Sequence, residues 1–232
     1  MSKLHTLAKI IEKLIKDPYA LKRVLDDEDR TEYFSHDEIY DNEYFGFVEQ
    51  TTAQSADVIA NSIVQSFHPS SVVDVGCGTG VLLERLQAQG IQVKGLELAE
   101  AALKLCWMRQ LDVTKFDVAT DQLPSEVTNA DVVVSMEVGQ QLPEASTDRY
   151  VDVLCRIAPI VIFSSGTPGQ GDRRPRNEKP HQYWIGKFRQ RGYLFEEALS
   201  LQWREEWKAG HTAPWFYHNV MIFRSCSQNG QQ

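Results

Sequence analysis

The sequence has little with which to cross-link itself or hold a metal. Its four cysteines, Cys77, Cys106, Cys155 and Cys226, are scattered through 232 residues. With no CxxC pair and no Cys/His cluster, they support neither a disulfide framework nor a metal site, and reduced thiols are expected. No apolar run is long enough to span a bilayer, and residues 1–17, MSKLHTLAKIIEKLIKD, form an amphipathic pattern rather than a signal peptide, so a cytoplasmic chain is expected. Positive charge is also in deficit. The 24 Lys and Arg face 32 Asp and Glu, for a formal net charge of −8 and a pI near 5.3. That balance argues against nucleic acid or an anionic membrane as a partner.

What is present is enough for one sizeable core, since 42% of the residues are hydrophobic, and a single domain with additions is expected. The most informative stretch is SVVDVGCGTG at 71–80. A short apolar run ends in Asp74 and Val75 and is followed by glycines at 76, 78 and 80. A buried strand that turns through glycines into a helix sets bare backbone amides beside a helix N-terminus, a place for a nucleotide-like ligand. Residues 81–89 read as that helix, with Leu82, Leu83 and Leu86 on one face and Gly90 as its stop. IQVKGLEL then reads as a second parallel strand ending in Glu97. An acid at that tip, roughly 20 residues beyond the glycine turn, is where a ribose diol is gripped.

VVDVGCGTG followed by LEL resembles the first two motifs of the class I S-adenosylmethionine-dependent methyltransferases, and by element order the resemblance extends over residues 49–224. It implies a Rossmann-like α/β fold: a mostly parallel seven-stranded sheet, antiparallel at its last strand, with helices on both faces. It also implies S-adenosylmethionine as cofactor, a small-molecule acceptor, and a monomer or homodimer. Cofactor contacts are expected from Asp74, Gly76, Cys77, Gly78, Gly80, Glu97 and Leu98. Asp117 and Val118 are expected at the adenine, with Asp112 and Asp121 competing for the Asp117 role, and Tyr44 and Met136 complete the set. The nearest rival reading is a nicotinamide-dependent oxidoreductase, although the spacing GxGxG departs from the GxGxxG of dinucleotide folds. A cofactor-binding module without catalysis is a third.

Three segments follow from this frame: a helical cap and aromatic lid at 1–47, the cofactor-binding core at 48–224, and a disordered tail at 225–232. In the cap, Leu4, Leu7, Ile11, Leu14 and Ile15 share a helical face. The lid, EYFSHDEIYDNEYFGF, supplies Tyr33, Tyr40 and Phe45 as acceptor-binding candidates beside Tyr44. Helices are expected at 48–67, 99–108, 144–157 and 182–191. Strands are expected at 111–118, 130–136 and 158–164, and ADVVVSM at 130–136 is apolar throughout, as suits a strand covered on both faces. The last segment, with Trp203, Trp207 and Trp215, is expected to hold an antiparallel pair of strands around an irregular connection. A long loop, SGTPGQGDRRPRNEKPHQYW, carries Arg173, Arg174 and Arg176, and Arg173 is a candidate for an acidic group on the acceptor.

The chemistry expected near the fourth strand's end falls to Glu137-Val138-Gly139-Gln140-Gln141-Leu142-Pro143, because ligands in open parallel sheets bind beyond the carboxyl ends of strands. Family members with EVxEHLP here and GQGGxxH in the loop after the fifth strand carry a histidine in each. This chain has Gln141 and Pro175 in those places. A histidine base is thereby lost, and an amide cannot take a proton at neutral pH. Glu137, Gln141, His36 and His181 remain as catalytic candidates, with Gln140 and Trp215 for the acceptor. No N/D-P-P-Y/F motif follows the fourth strand, which argues against amino-group methylation of DNA or glutamine. Alignment of nucleophile and methyl carries the expected reaction, which the sequence places in specialised metabolism. Effective molarity supplies about 7–11 kcal/mol of barrier lowering.

Overall fold

The computed structural model describes residues 36–170 and 177–226, with no account of the side chains of Glu38 and Thr51. Tyr33, Arg173, Arg174, Pro175, Arg176, the amphipathic segment at 1–17 and residues 227–232 of the expected tail lie outside the described residues, while Ser225, expected to open that tail, closes the last strand instead.

A short helix, α1 (His36–Ile39), precedes α2 (Asn42–Phe67). Asp41 caps α2, its carboxylate accepting from Tyr44 N at 2.9 Å, which satisfies one of the helix's orphan donors. The helix expected from residue 48 therefore begins at Asn42, and Tyr44 and Phe45 ride on its first turn. His68 ends it in a left-handed conformation at φ 45°, ahead of Pro69, which disfavours continuation.

The sheet follows in alternation with helices: β1 (Ser71–Val75), α3 (Val81–Ala88), β2 (Gln92–Glu97), α4 (Glu100–Met108), β3 (Val113–Lys115), β4 (Val132–Met136), α5 (Thr147–Ile157), β5 (Ile160–Ser164), α6 (His181–Arg189) and β6 (Tyr193–Phe195). Two helices, α7 (Glu197–Ala209) and α8 (Pro214–Asn219), then lead to β7 (Met221–Ser225). The strand order is β3-β2-β1-β4-β5-β7-β6, and β7 runs antiparallel to both neighbours. The expected sheet is thus found. The connection between its last two strands is helical, however, not irregular. Trp203 and Trp207 are four residues apart on one face of α7, fully buried against α2, so they build core and not an acceptor wall.

Period-two alternation sends the strand side chains into two cores. Val72, Val132, Val134 and Ile162 meet α2, α3 and α7 on one face. Val73, Val133, Val161 and Phe163 meet α5 and α6 on the other, where Trp184 and Phe188 are also fully buried. Both faces are covered, as the unbroken valine runs require. Because β1 has β2 on one side and β4 on the other, the connection order reverses at β1, and a crevice opens there at the carboxyl ends of the strands.

Candidate active site

The crevice is a cavity of about 820 Å³ that runs from the glycine turn after β1, past the ends of β2 and β4, to α2 and α8. Its floor is set by backbone geometry. Gly76, Gly78 and Gly80 all adopt positive φ, 77°, 55° and 77°. At Gly76 a side chain has no room either, since a Cβ there would stand 2.3 Å from Val138 Cγ2. The turn after β1 and the segment after β4 therefore touch through a missing side chain.

Glu97 closes this turn. Its Oε2 accepts from Gly78 N at 2.8 Å, while Oε1 accepts from Leu98 N at 2.7 Å and Ala99 N at 2.8 Å. Burial pushes its carboxyl above the usual range, against these three amides, which pull it down. Asp74, 5% exposed, is pushed up to about 8 by burial and then by the charge of Glu97. Two carboxyls so close do not both ionise readily, and at neutral pH Asp74 holds its proton. Beneath them Tyr150 Oη lies 2.6 Å from Ser135 Oγ, which donates to the Val75 carbonyl at 2.7 Å. With the serine proton committed, the tyrosine is the donor.

Asp117 and Val118 line the same end of the cavity. Asp117 Oδ1 accepts from Ala119 N at 2.9 Å. Of its two competitors, Asp112 pairs with Lys94 at 3.3 Å and Asp121 accepts from Asp117 N at 2.8 Å; neither lines the cavity. Tyr40 and Phe45, expected at the acceptor, are buried over the start of α4 with Ala99 and Ala102. Phe45 Cε1 comes within 3.8 Å of where a Gly78 Cβ would be, which sets these rings beside the glycine turn, with Tyr44 between them edge-on to both. Cys77 lines the turn and packs toward buried Cys106.

At the far end, Glu137 takes a left-handed φ of 58°, a conformation that costs a non-glycine residue about 1–3 kcal/mol and persists only where surroundings hold it. They do so here. Glu137 N donates to the Ser164 carbonyl at 3.0 Å, and its carboxylate accepts from Ser164 Oγ, Asn219 Nδ2, Gln140 Nε2 and Gln170 Nε2. Gln140 is 1% exposed and held at its other end by Ser165 Oγ, so it braces the site while lining it. Gln141 Nε2 donates to the Glu137 carbonyl at 3.1 Å. Met136, Trp215 and Phe216 add an apolar wall, and Thr52, Ala56 and Ile59 of α2 face it.

His36 lines the mouth, 4.6 Å from the Tyr40 ring. His181 does not line the cavity. It opens α6 with Nδ1 3.4 Å from Arg204, and burial followed by that guanidinium depresses its basicity, keeping it neutral at pH 7. Ser164, Gln170 and Asn219, which hold Glu137, and Thr52, Ala56 and Ile59 are among the site residues that the sequence reading missed. Ser164 had a signal, since it ends β5 as Glu137 follows β4. Asn219 had none, because it arrives from α8 across the sheet.

The donor set fits an adenosyl group. A carboxylate has about four acceptor positions, so Glu97 keeps capacity for a ribose hydroxyl beyond its three amides. The glycine cradle would be filled by any Cβ, and the Asp117 carboxylate opens onto the same space. Fold and site together are similar to those of the class I S-adenosylmethionine-dependent methyltransferases. The family profile of methionine biosynthesis protein MetW matches residues 56–175, half of the chain, and the chain belongs to that family.

Ubiquinone biosynthesis O-methyltransferases are similar over part of the sequence. That of Bordetella parapertussis is 37% identical over 100 residues, covering 40% of this chain and 42% of that protein. The Chromobacterium violaceum protein is 34% identical over 100 residues, 40% of this chain and 43% of its own. The chain spans less than half the length of these curated relatives. In fold it is similar to a SAM-dependent methyltransferase from Archaeoglobus fulgidus, with a TM-score of 0.55 at 14% identity over 78% of this chain and 97% of that one. A TehB-like SAM-dependent methyltransferase from Corynebacterium glutamicum gives 0.54 at 16% identity over 73% and 87%. Among the described residues no helix is long and apolar enough to cross a membrane.

Proposed function

We propose that this chain transfers a methyl group from S-adenosylmethionine to an oxygen or nitrogen of a small-molecule acceptor. The observation that carries the reading is Glu97, whose carboxylate locks the glycine turn at Gly78 and faces a cavity continuous with the Glu137 cluster. In this reading Asp74, the backbones of Gly76, Gly78 and Gly80, Glu97 and Leu98 hold the ribose and amino-acid end, and Asp117 and Val118 hold the adenine. Tyr40, Tyr44 and Phe45 close over that half and exclude water, which strengthens the electrostatics inside.

When bound, the cofactor supplies a methyl group already activated on a sulfonium. What remains for the chain is alignment. Met136, Trp215 and Phe216 orient an apolar acceptor, and Glu137 fixes its polar end. Among the described residues four donors meet the Glu137 carboxylate, so it takes up a proton most readily where one of them is released. The family and the curated relatives carry the names of methionine and ubiquinone biosynthesis, which favours an acceptor from primary metabolism over the specialised metabolism expected from the sequence.

Calorimetry tests the reading. S-adenosylmethionine and S-adenosylhomocysteine should bind with micromolar affinity. Glu97→Ala should weaken both by about tenfold or more, the worth of one hydrogen bond to a charged group, about 1.5–3 kcal/mol. No heat with either ligand would overturn it.

A further inference from the structure

The donors around Glu137 differ in how easily they move, and this bears on the acceptor under the methyl-transfer reading above. Ser164 Oγ at 2.8 Å and Asn219 Nδ2 at 3.3 Å meet Oε1, while Gln140 Nε2 at 3.0 Å and Gln170 Nε2 at 2.8 Å meet Oε2. Ser164, Gln140 and Asn219 are 0%, 1% and 1% exposed. Gln170, in the turn after β5, is exposed. Its amide direction is fixed nonetheless, because Asn219 Nδ2 donates to Gln170 Oε1 at 2.6 Å. Flipping either amide would set oxygen against the carboxylate. Glu137 and Gln170 both line the cavity beside Met136, Trp215 and Phe216.

We infer that the Gln170 carboxamide holds the place of the acceptor's nucleophile. An incoming O–H or N–H replaces it on Glu137 Oε2, which makes the acceptor an alcohol, a phenol or an amine bearing hydrogen, carried on an apolar body. The Glu137 carboxylate is half-buried, so once the acceptor's apolar body displaces water, the place that Gln170 leaves must be filled by a donor on the acceptor, because Ser164, Gln140 and Asn219 are held in packed contacts. A carboxylate, phosphate or fully substituted amine brings only lone pairs to that oxygen and is repelled. A site built around a polar partner rejects analogues lacking it far more strongly than an apolar pocket rejects an extra methylene. Gln170 and Asn219 thereby become specificity-determining residues, Gln170 as the displaceable donor and Asn219 as the strut that aims it.

The full chain, first shown to bind S-adenosylhomocysteine, is supplied with S-adenosylmethionine and two sets of probes, with S-adenosylhomocysteine release as readout. One set comprises phenols, benzylic alcohols, and primary and secondary benzylamines; the other comprises benzoates, phenylphosphonate and tertiary benzylamines. Turnover should be confined to the first set. Gln170→Ala, at an exposed position, should lower the acceptor KM several-fold by removing the internal competitor. Glu137→Gln should raise it about tenfold, a loss of 1.4 kcal/mol, with S-adenosylhomocysteine affinity within twofold of the parent as evidence of an intact fold. Turnover in the second set, an acceptor KM in Gln170→Ala that is unchanged or raised, or no turnover in the first set by a chain that binds S-adenosylhomocysteine, each overturns the inference while leaving the cofactor reading in place. Failure to bind S-adenosylhomocysteine sinks the methyl-transfer reading, and this inference with it.

Discussion

Replacing Asp74 with Asn should stabilise the protein at neutral pH. The Asp74 carboxyl is pushed up to about 8 by burial and by Glu97, whereas in the unfolded chain it titrates near 3.9. Between those values the folded state keeps a proton that the unfolded state has released. Stability therefore falls as pH rises through this window, at about 1.4 kcal/mol per pH unit. At pH 7 the accumulated cost is about 4 kcal/mol, an upper figure, since a denatured chain retains some structure around the group. The Asp74→Asn variant has no proton to lose at this position and escapes that cost.

Thermal unfolding of the ligand-free protein at half-unit steps from pH 4 to pH 8 would show the difference. The two proteins should melt together near pH 4. The Asn variant should lead by up to roughly 8–16 °C at pH 7, taking about 2–4 °C per kcal/mol for a domain of this size. Parallel curves from pH 5 to pH 8 would refute the argument, because they would mean that Asp74 titrates alike in both states.

Gly76→Ala should both destabilise the fold and weaken cofactor binding, since the new methyl group would stand 2.3 Å from Val138 Cγ2 at a positive φ. Adding Val138→Ala should recover the steric part but not the backbone strain of about 1–2 kcal/mol, which a double-mutant cycle in urea would separate. Ser135→Ala leaves the Tyr150 hydroxyl buried without its acceptor and should cost about 1–3 kcal/mol in urea unfolding, with Tyr150→Phe alongside it recovering part of that. His181→Ala should leave the acceptor kcat within about twofold, measured by S-adenosylhomocysteine release, because His181 lies outside the cavity and a general base contributes about 10²–10⁴-fold.

Elements whose partners are adjacent in sequence were readable from pattern alone. The apolar stretches at 72–75 and 132–134 announce strands covered on both faces, and the glycine turn with Glu97 announces one end of the cavity. The Trp203 and Trp207 segment was misread for a definable reason. Its aromatics suggested strand, yet their four-residue spacing, shared with Leu199, is that of a helix face. The far end of the cavity was legible at Gln140, Gln141, Trp215 and Glu137, but what holds Glu137 in place was not. Its partners come from the end of β5, the turn beyond it and the last turn of α8, and sequence separation of 27, 33 and 82 residues hides such meetings from any local pattern. Tyr40 and Phe45 were placed at the acceptor because aromatics flanked by carboxylates resemble a lid. The cap at Asp41 starts α2 early enough to lay Phe45 beside the glycine turn, with Tyr40 packed just ahead of it over the start of α4.

The position of β7 bears on how the molecule is made. It is the last of the seven strands to leave the ribosome, yet it lies between β5 and β6, so during synthesis β5 waits with a bare hydrogen-bonding edge until residues 221–225 emerge. That edge is a site for mispairing with another nascent chain. Asn219 emerges just ahead of β7, and the pocket around Glu137 is completed among the final steps of folding.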